Sequence, residues 1–164
     1  MSLSSSLPAQ AWQAVPPPGY GGPRIALIHG LLAGEHMQRH LLSYLRAAGQ
    51  ADATLYGNHQ RIAVIADALA EASAQGRPLV LAGFSQGGFQ IVKVARELQR
   101  RGIAVDLAVS VAAGGFGRWY PAQWGFEPRR IPGNVRLWLN YWSEIDVMGC
   151  DRPAQRNEAI AAEP

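Results

Sequence analysis

The stretch Pro78-Leu79-Val80-Leu81-Ala82-Gly83-Phe84-Ser85-Gln86-Gly87-Gly88 decides the reading of this chain. Its first five residues are apolar with no polar alternation, the pattern of a strand covered on both faces. Beyond the glycine-rich turn, Ile91, Val94, Ala95 and Leu98 recur at i, i+3, i+4 and i+7, while Gln90, Lys93, Glu97 and Arg101 fill the other face. That periodicity predicts an amphipathic helix, which Gly102 closes. Strand, sharp turn and helix follow one another without a linker.

Working outward, the same alternation recurs. Arg24-Ile25-Ala26-Leu27-Ile28 is a short apolar run ending at His29-Gly30. Leu41, Leu42 and Leu45 mark one face of a short helix stopped by Gly49, and a weaker strand follows at Ala53–Tyr56. Asn58 is the expected N-cap of a helix whose inner face carries Ile62, Ile65 and Leu69. Val105–Val111 and Asn134–Trp142 are two further strands, separated by a loop rich in Gly, Pro and aromatic residues. Strands alternating with helices predict an α/β fold: one domain with a mostly parallel sheet and helices on both faces. Residues 1–23, with Pro16-Pro17-Pro18 and nearby glycines, form an irregular lead-in, and residues 24–164 form the domain.

Length and composition set bounds on function. The chain has 164 residues, 48% hydrophobic and 16% charged, enough for one buried core. No window reaches the roughly 18 consecutive apolar residues of a membrane span, and the N-terminus does not read as a secretory signal. The net charge of +3 comes from basic residues scattered along the chain, with no stripe and no interleaved aromatics, so a nucleic-acid partner is not expected. The single cysteine, Cys150, excludes an internal disulfide and behaves as a small hydrophobe; a cytoplasmic location is expected. Gly114-Gly115-Phe116-Gly117 lacks the full dinucleotide fingerprint. No set of Cys, His and carboxylates has metal-ligand spacing, so neither metal nor cofactor is expected.

The chemistry concentrates at Gly83-Phe84-Ser85-Gln86-Gly87, which fits G-x-S-x-G. Such a turn lifts the Ser85 hydroxyl above the sheet and aims the Gln86 N–H at the same point. The helix N-terminus behind it favours developing negative charge. In a parallel sheet the His29-Gly30-Leu31 loop opens at the same carboxyl edge, where the Leu31 N–H is a second candidate oxyanion donor. His29 itself reads as a residue that holds this loop.

From Ile25 to about Asp146, the order of a His-Gly strand, a Gly-Phe-Ser-Gln-Gly-Gly elbow and later strands leading to an acid resembles the α/β-hydrolase superfamily. The elbow has the form found in many carboxylesterases and thioesterases, and cutinases carry a close relative. The short length and lack of a cap are cutinase-like, whereas the single cysteine departs from those disulfide-bonded secreted enzymes. The resemblance implies a serine hydrolase that cleaves an ester or thioester of a small acyl substrate through an acyl-enzyme on Ser85.

The resemblance also implies a chain order of Ser, acid, His. Asp146, directly after an apolar strand, is the expected acid, with Glu144 and Asp151 as neighbours in its loop. Asp106 precedes its strand and belongs at the opposite edge. The four histidines, His29, His36, His40 and His59, all precede Ser85, and eighteen residues follow Asp146 without another. The triad histidine is therefore unassigned. Three explanations stand: a final strand and His-bearing loop beyond residue 164, a fold that binds without turnover, or His36 in the loop after Gly30 as a substitute base.

Trp119, Tyr120, Trp124 and Phe126 are candidates for the wall of an acyl pocket or for loop packing. If strand 134–142 ends the sheet, its apolar edge predicts pairing with a second copy, a homodimer, or poor solubility.

Overall fold

Five parallel strands form one sheet in the order Ala53–Tyr56, Arg24–Ile28, Leu79–Phe84, Leu107–Val111, Trp138–Tyr141, and this order places the elbow strand at the centre. The computed structural model describes residues 12–113, 131–141 and 143. In chain order the elements are β1 (Arg24–Ile28), α1 (Gly34–Met37), a π-helical segment (Gln38–Leu42), α2 (Ser43–Ala47), β2 (Ala53–Tyr56) and α3 (Ile62–Ala74). They continue with β3 (Leu79–Phe84), α4 (Gln86–Arg100), β4 (Leu107–Val111) and β5 (Trp138–Tyr141). The chain runs outward from β1 to β2, then crosses back past β1 to β3. The register pairs Ile28 with Gly83 and Gly83 with Ser110, so the carboxyl ends of the three central strands meet near Ser85.

Both faces of the sheet are apolar because both receive helices. On one face Ile65 and Leu69 of α3 and Ile91, Val94 and Leu98 of α4 bury against Ala26, Ile28, Leu79, Leu81 and Ala108. On the other, Met37 and Leu42 pack against Ile25, Leu27, Ala53 and Leu55. Each such Leu or Ile contributes about 1.5–3 kcal/mol by leaving water. This double burial explains why β1 and β3 read as continuous apolar runs. Among the described residues no helix is long and apolar enough to cross a membrane.

Three local expectations are corrected. The first helix begins at Gly34, seven residues before the leucines that marked it, so His36 lies in α1 and not in a loop. The cause is the π-helical turn: its wider winding puts Met37 and Leu42, five residues apart, both into the core, and leaves Leu41 exposed. The N-cap of α3 is Arg61, which makes no side-chain capping bond, while Asn58 sits in the preceding turn and donates to the Gln86 side-chain oxygen at 2.7 Å. The last strand is shorter than residues 134–142 suggested. The Asn134 amide donates to the Ala95 and Ile103 carbonyls at 3.0 and 2.8 Å, tying the chain to the end of α4. Ladder pairing then starts at Trp138, after a lone bridge at Val135. There the Trp138 indole donates to the Ser110 hydroxyl, which donates in turn to the Asn140 side-chain oxygen.

The amino edge of the sheet carries buried charge. Asp52, 3% exposed, accepts hydrogen bonds from the guanidinium groups of Arg24 and Arg77. Arg24 also donates to the Tyr56 hydroxyl at 2.9 Å, and Arg77 donates to the Gly22 carbonyl at 2.8 Å and lies over the Tyr20 ring. Asp106 is at this edge too, as expected, accepting from the Leu79 N–H.

Removing Asp52 leaves two poorly solvated cations facing each other. Asp52→Ala is expected to lower stability by about 3–5 kcal/mol. Urea unfolding followed by circular dichroism measures this, and a loss below about 1 kcal/mol would show the cluster to be solvated after all.

Candidate active site

Ser85 is the single residue between the end of β3 and the start of α4. Its backbone adopts φ 54° and ψ −120°, a conformation that a side-chain-bearing residue holds at a cost of about 1–3 kcal/mol. Two hydrogen bonds hold it there: the Ser85 N–H donates to the Val111 carbonyl at 3.0 Å, and the Gly88 N–H donates to the Ser85 carbonyl at 2.9 Å.

The flanking glycines are required by contact. A methyl on Gly83 would collide with the Gly87 carbonyl, and one on Gly87 would run into the Ile28 carbonyl. The first turn of α4 is thus pressed onto the ends of β1 and β3. The first amides of that turn, before Gly88, precede the helix's own ladder and point outward from its N-terminus, with the positive end of the helix dipole. Gln86 supplies the first of these amides, and Asn58 holds its side chain.

The loop after β1 closes on the same residue. Gly30 is buried, and a methyl placed on it would lie 2.8 Å from the Ser85 Cβ and 3.2 Å from its Oγ. Gly30 therefore packs directly on the serine side chain. Leu31 follows it, largely exposed, and Leu32 has φ 59°. The Ala33 N–H donates to the Gly30 carbonyl at 3.3 Å and closes the turn. Ser85, Gln86 and the Gly30–Leu31 turn are brought to one edge, at the point between β1 and β3 where the chain reverses its direction across the sheet, the position where open parallel sheets bind ligands.

The other candidates divide. Asp146, Glu144 and Asp151 lie outside the described residues, as do Trp119, Tyr120, Trp124, Phe126, Cys150 and the Gly114–Gly117 run. His29 is buried, with Nδ1 2.6 Å from the Gly30 carbonyl oxygen. A carbonyl only accepts, so Nδ1 carries the proton, and the ring braces the loop as expected. Trp12 stands edge-on to it at 5.4 Å and donates to the Gln38 side-chain oxygen at 2.7 Å. This brace was not anticipated; the signal was a lone tryptophan in an irregular, proline-rich lead-in.

His59 lies against Gly57. His36 and His40 are exposed side by side, their ring centres 4.5 Å apart. With Met37, Gly83, Phe84 and Val111 they line an apolar cavity of about 230 Å³ that reaches the two residues immediately before Ser85. Among the described residues no histidine hydrogen-bonds to Ser85.

Searches against protein-family models and curated proteins return no match. Among solved structures, the chain is similar to YbtT, a type II thioesterase from a yersiniabactin NRPS/PKS biosynthetic pathway, at 20% identity and a TM-score of 0.40. That overlap covers 62% of this chain and 45% of YbtT. It is also similar to BorB, a type II thioesterase from the borrelidin biosynthetic cluster, at 18% identity and a TM-score of 0.41, covering 67% of this chain and 50% of BorB. The chain thus spans about half the length of these structures. The α/β fold stands on the parallel register, the strand order and the elbow, independently of these overlaps.

The packing of α4 on β1 makes a direct demand on Gly87. Gly87→Ala is expected to destabilise by about 3 kcal/mol or more, at the upper end of overpacking costs, since the obstacle is backbone and cannot rotate away. Gly102→Ala, at a helix end with open space around it, should cost only the left-handed backbone penalty of about 1–2 kcal/mol. Equal unfolding midpoints for the two variants would contradict the close approach at the elbow.

Proposed function

We propose that this chain is a serine hydrolase of the α/β-hydrolase type, cleaving a carboxylic ester or thioester through an acyl-enzyme on Ser85. The observation that carries this reading is the Ser85 backbone at φ 54°, with the Gly30 turn against its hydroxyl and the N-terminus of α4 behind it. An ordinary Gly-Ser turn has no reason to hold a serine in a strained conformation at that edge.

The proposed steps follow from acyl-transfer chemistry. The Ser85 Oγ attacks the carbonyl carbon while a base takes its proton. The resulting oxyanion accepts hydrogen bonds from the Gln86 and Leu31 amides, which strengthen as charge develops. Collapse expels the alcohol or thiol, and water then releases the acid by the same route. Asp146 is the proposed acid that orients the base. The substrate would be a small acyl compound and the location cytoplasmic.

A second reading is a ligand-binding module on the same fold. It is favoured by the described histidines, none of which hydrogen-bonds to Ser85. Without a base, the hydroxyl keeps an alcohol's pKa and is a poor nucleophile at neutral pH.

A fluorophosphonate probe followed by intact-mass analysis separates the two. The enzyme reading expects one covalent adduct per chain, absent in Ser85→Ala. No adduct on wild-type protein that is folded by circular dichroism would leave the binding module as the better account.

A further inference from the structure

Residues 34–47 form one continuous helical rod with a π-helical turn at its centre, and His36 and His40 lie four residues apart on it. Residues at that spacing share a face of a helix. Both side chains are exposed, and their rings stand 4.5 Å apart, centre to centre, tilted by 50°. No metal-ligand spacing was expected from the sequence, in which His36 was read as lying in a loop. On a helix the same two residues are neighbours.

We propose that His36 and His40 together bind one borderline divalent transition cation, zinc, nickel or copper(II), in a two-imidazole site. The ring spacing is the carrying observation. An imidazole nitrogen sits about 2.0–2.1 Å from such an ion, so each ring centre lies roughly 3.2 Å from it. Two rings meeting at angles between square and tetrahedral then have centres about 4.5–5.2 Å apart. The observed separation of 4.5 Å falls at the edge of that range, so the pair is already spaced for chelation.

Among the described residues the ring nitrogens of this pair are also uncommitted. His29 spends Nδ1 on the Gly30 carbonyl, whereas His36 and His40 make no hydrogen bond among the described residues. Imidazole is a favoured ligand for these three ions, and a carboxylate-rich site would select harder ones. The nearest charges on the same rod, Glu35 and Arg39, are paired with each other at 3.4 Å. The remaining coordination positions stay with water. Because the two rings form part of the wall of the apolar cavity, a bound ion stands at its rim.

Zinc chloride titrated into tag-free protein tests the site, by calorimetry and by proton–nitrogen correlation spectra of the imidazoles. The expected result is saturable binding of one ion per chain, with shifts confined to His36 and His40. His36→Ala and His40→Ala should each weaken it roughly 10–100-fold or more, and His59→Ala should leave it unchanged. Both ligands are exposed, so these variants are expected to fold, which circular dichroism checks. Binding that survives the double variant, or that depends on only one of the two histidines, overturns the proposal. So does the lack of saturation up to about 1 mM zinc.

Discussion

Everything at the candidate site depends on how closely one helix end approaches two strands. The first turn of α4 touches the ends of β1 and β3 so tightly that neither Gly83 nor Gly87 has room for a side chain. That contact sets the entry of α4, and the entry forces the one intervening residue, Ser85, into a left-handed conformation. The same approach brings the Gly30 turn onto the serine. A helix that docked an ångström further out would relax the backbone, separate the two loops and remove the shared edge.

This constraint was legible in the sequence because it is written in glycines and apolar runs, both of which have local causes. Gly83 and Gly87 flank a serine between a strand pattern and a helix pattern, and the structure has the elbow there. The distant edge assigned to Asp106 follows from strand direction, and His29 braces the loop it was read to hold. The weak strand at Ala53–Tyr56 also stands as read.

What was not legible depends on departures from a regular period or on partners far along the chain. The π-helical turn spaces Met37 and Leu42 five residues apart, a pattern that a 3.6-residue template does not recognise, so the first helix was placed too late. Asn58 has the composition of a cap, but its partner is Gln86, twenty-eight residues on. Trp12 reaches across to His29 and Gln38 from a segment with no periodicity at all. Asn134 shortens the last strand by bonding two carbonyls near the end of α4, contacts that no local reading contains. The acid and the aromatic loop fall on residues outside the described part of the chain.

The hydrogen bond from the Ser85 amide to the Val111 carbonyl has a dynamic implication. Val111 is the last residue of β4, and the next amide, Ala112, donates to Tyr141 at the end of β5. On this side the elbow is therefore latched to the rim of the sheet, at residues half open to solvent. Local opening at such a rim takes far less free energy than global unfolding, and each opening releases one of the two hydrogen bonds that hold Ser85. How firmly Trp138–Tyr141, one strand removed from the hydroxyl, zips against β4 therefore adds to the hold that the close approach of α4 has on the serine.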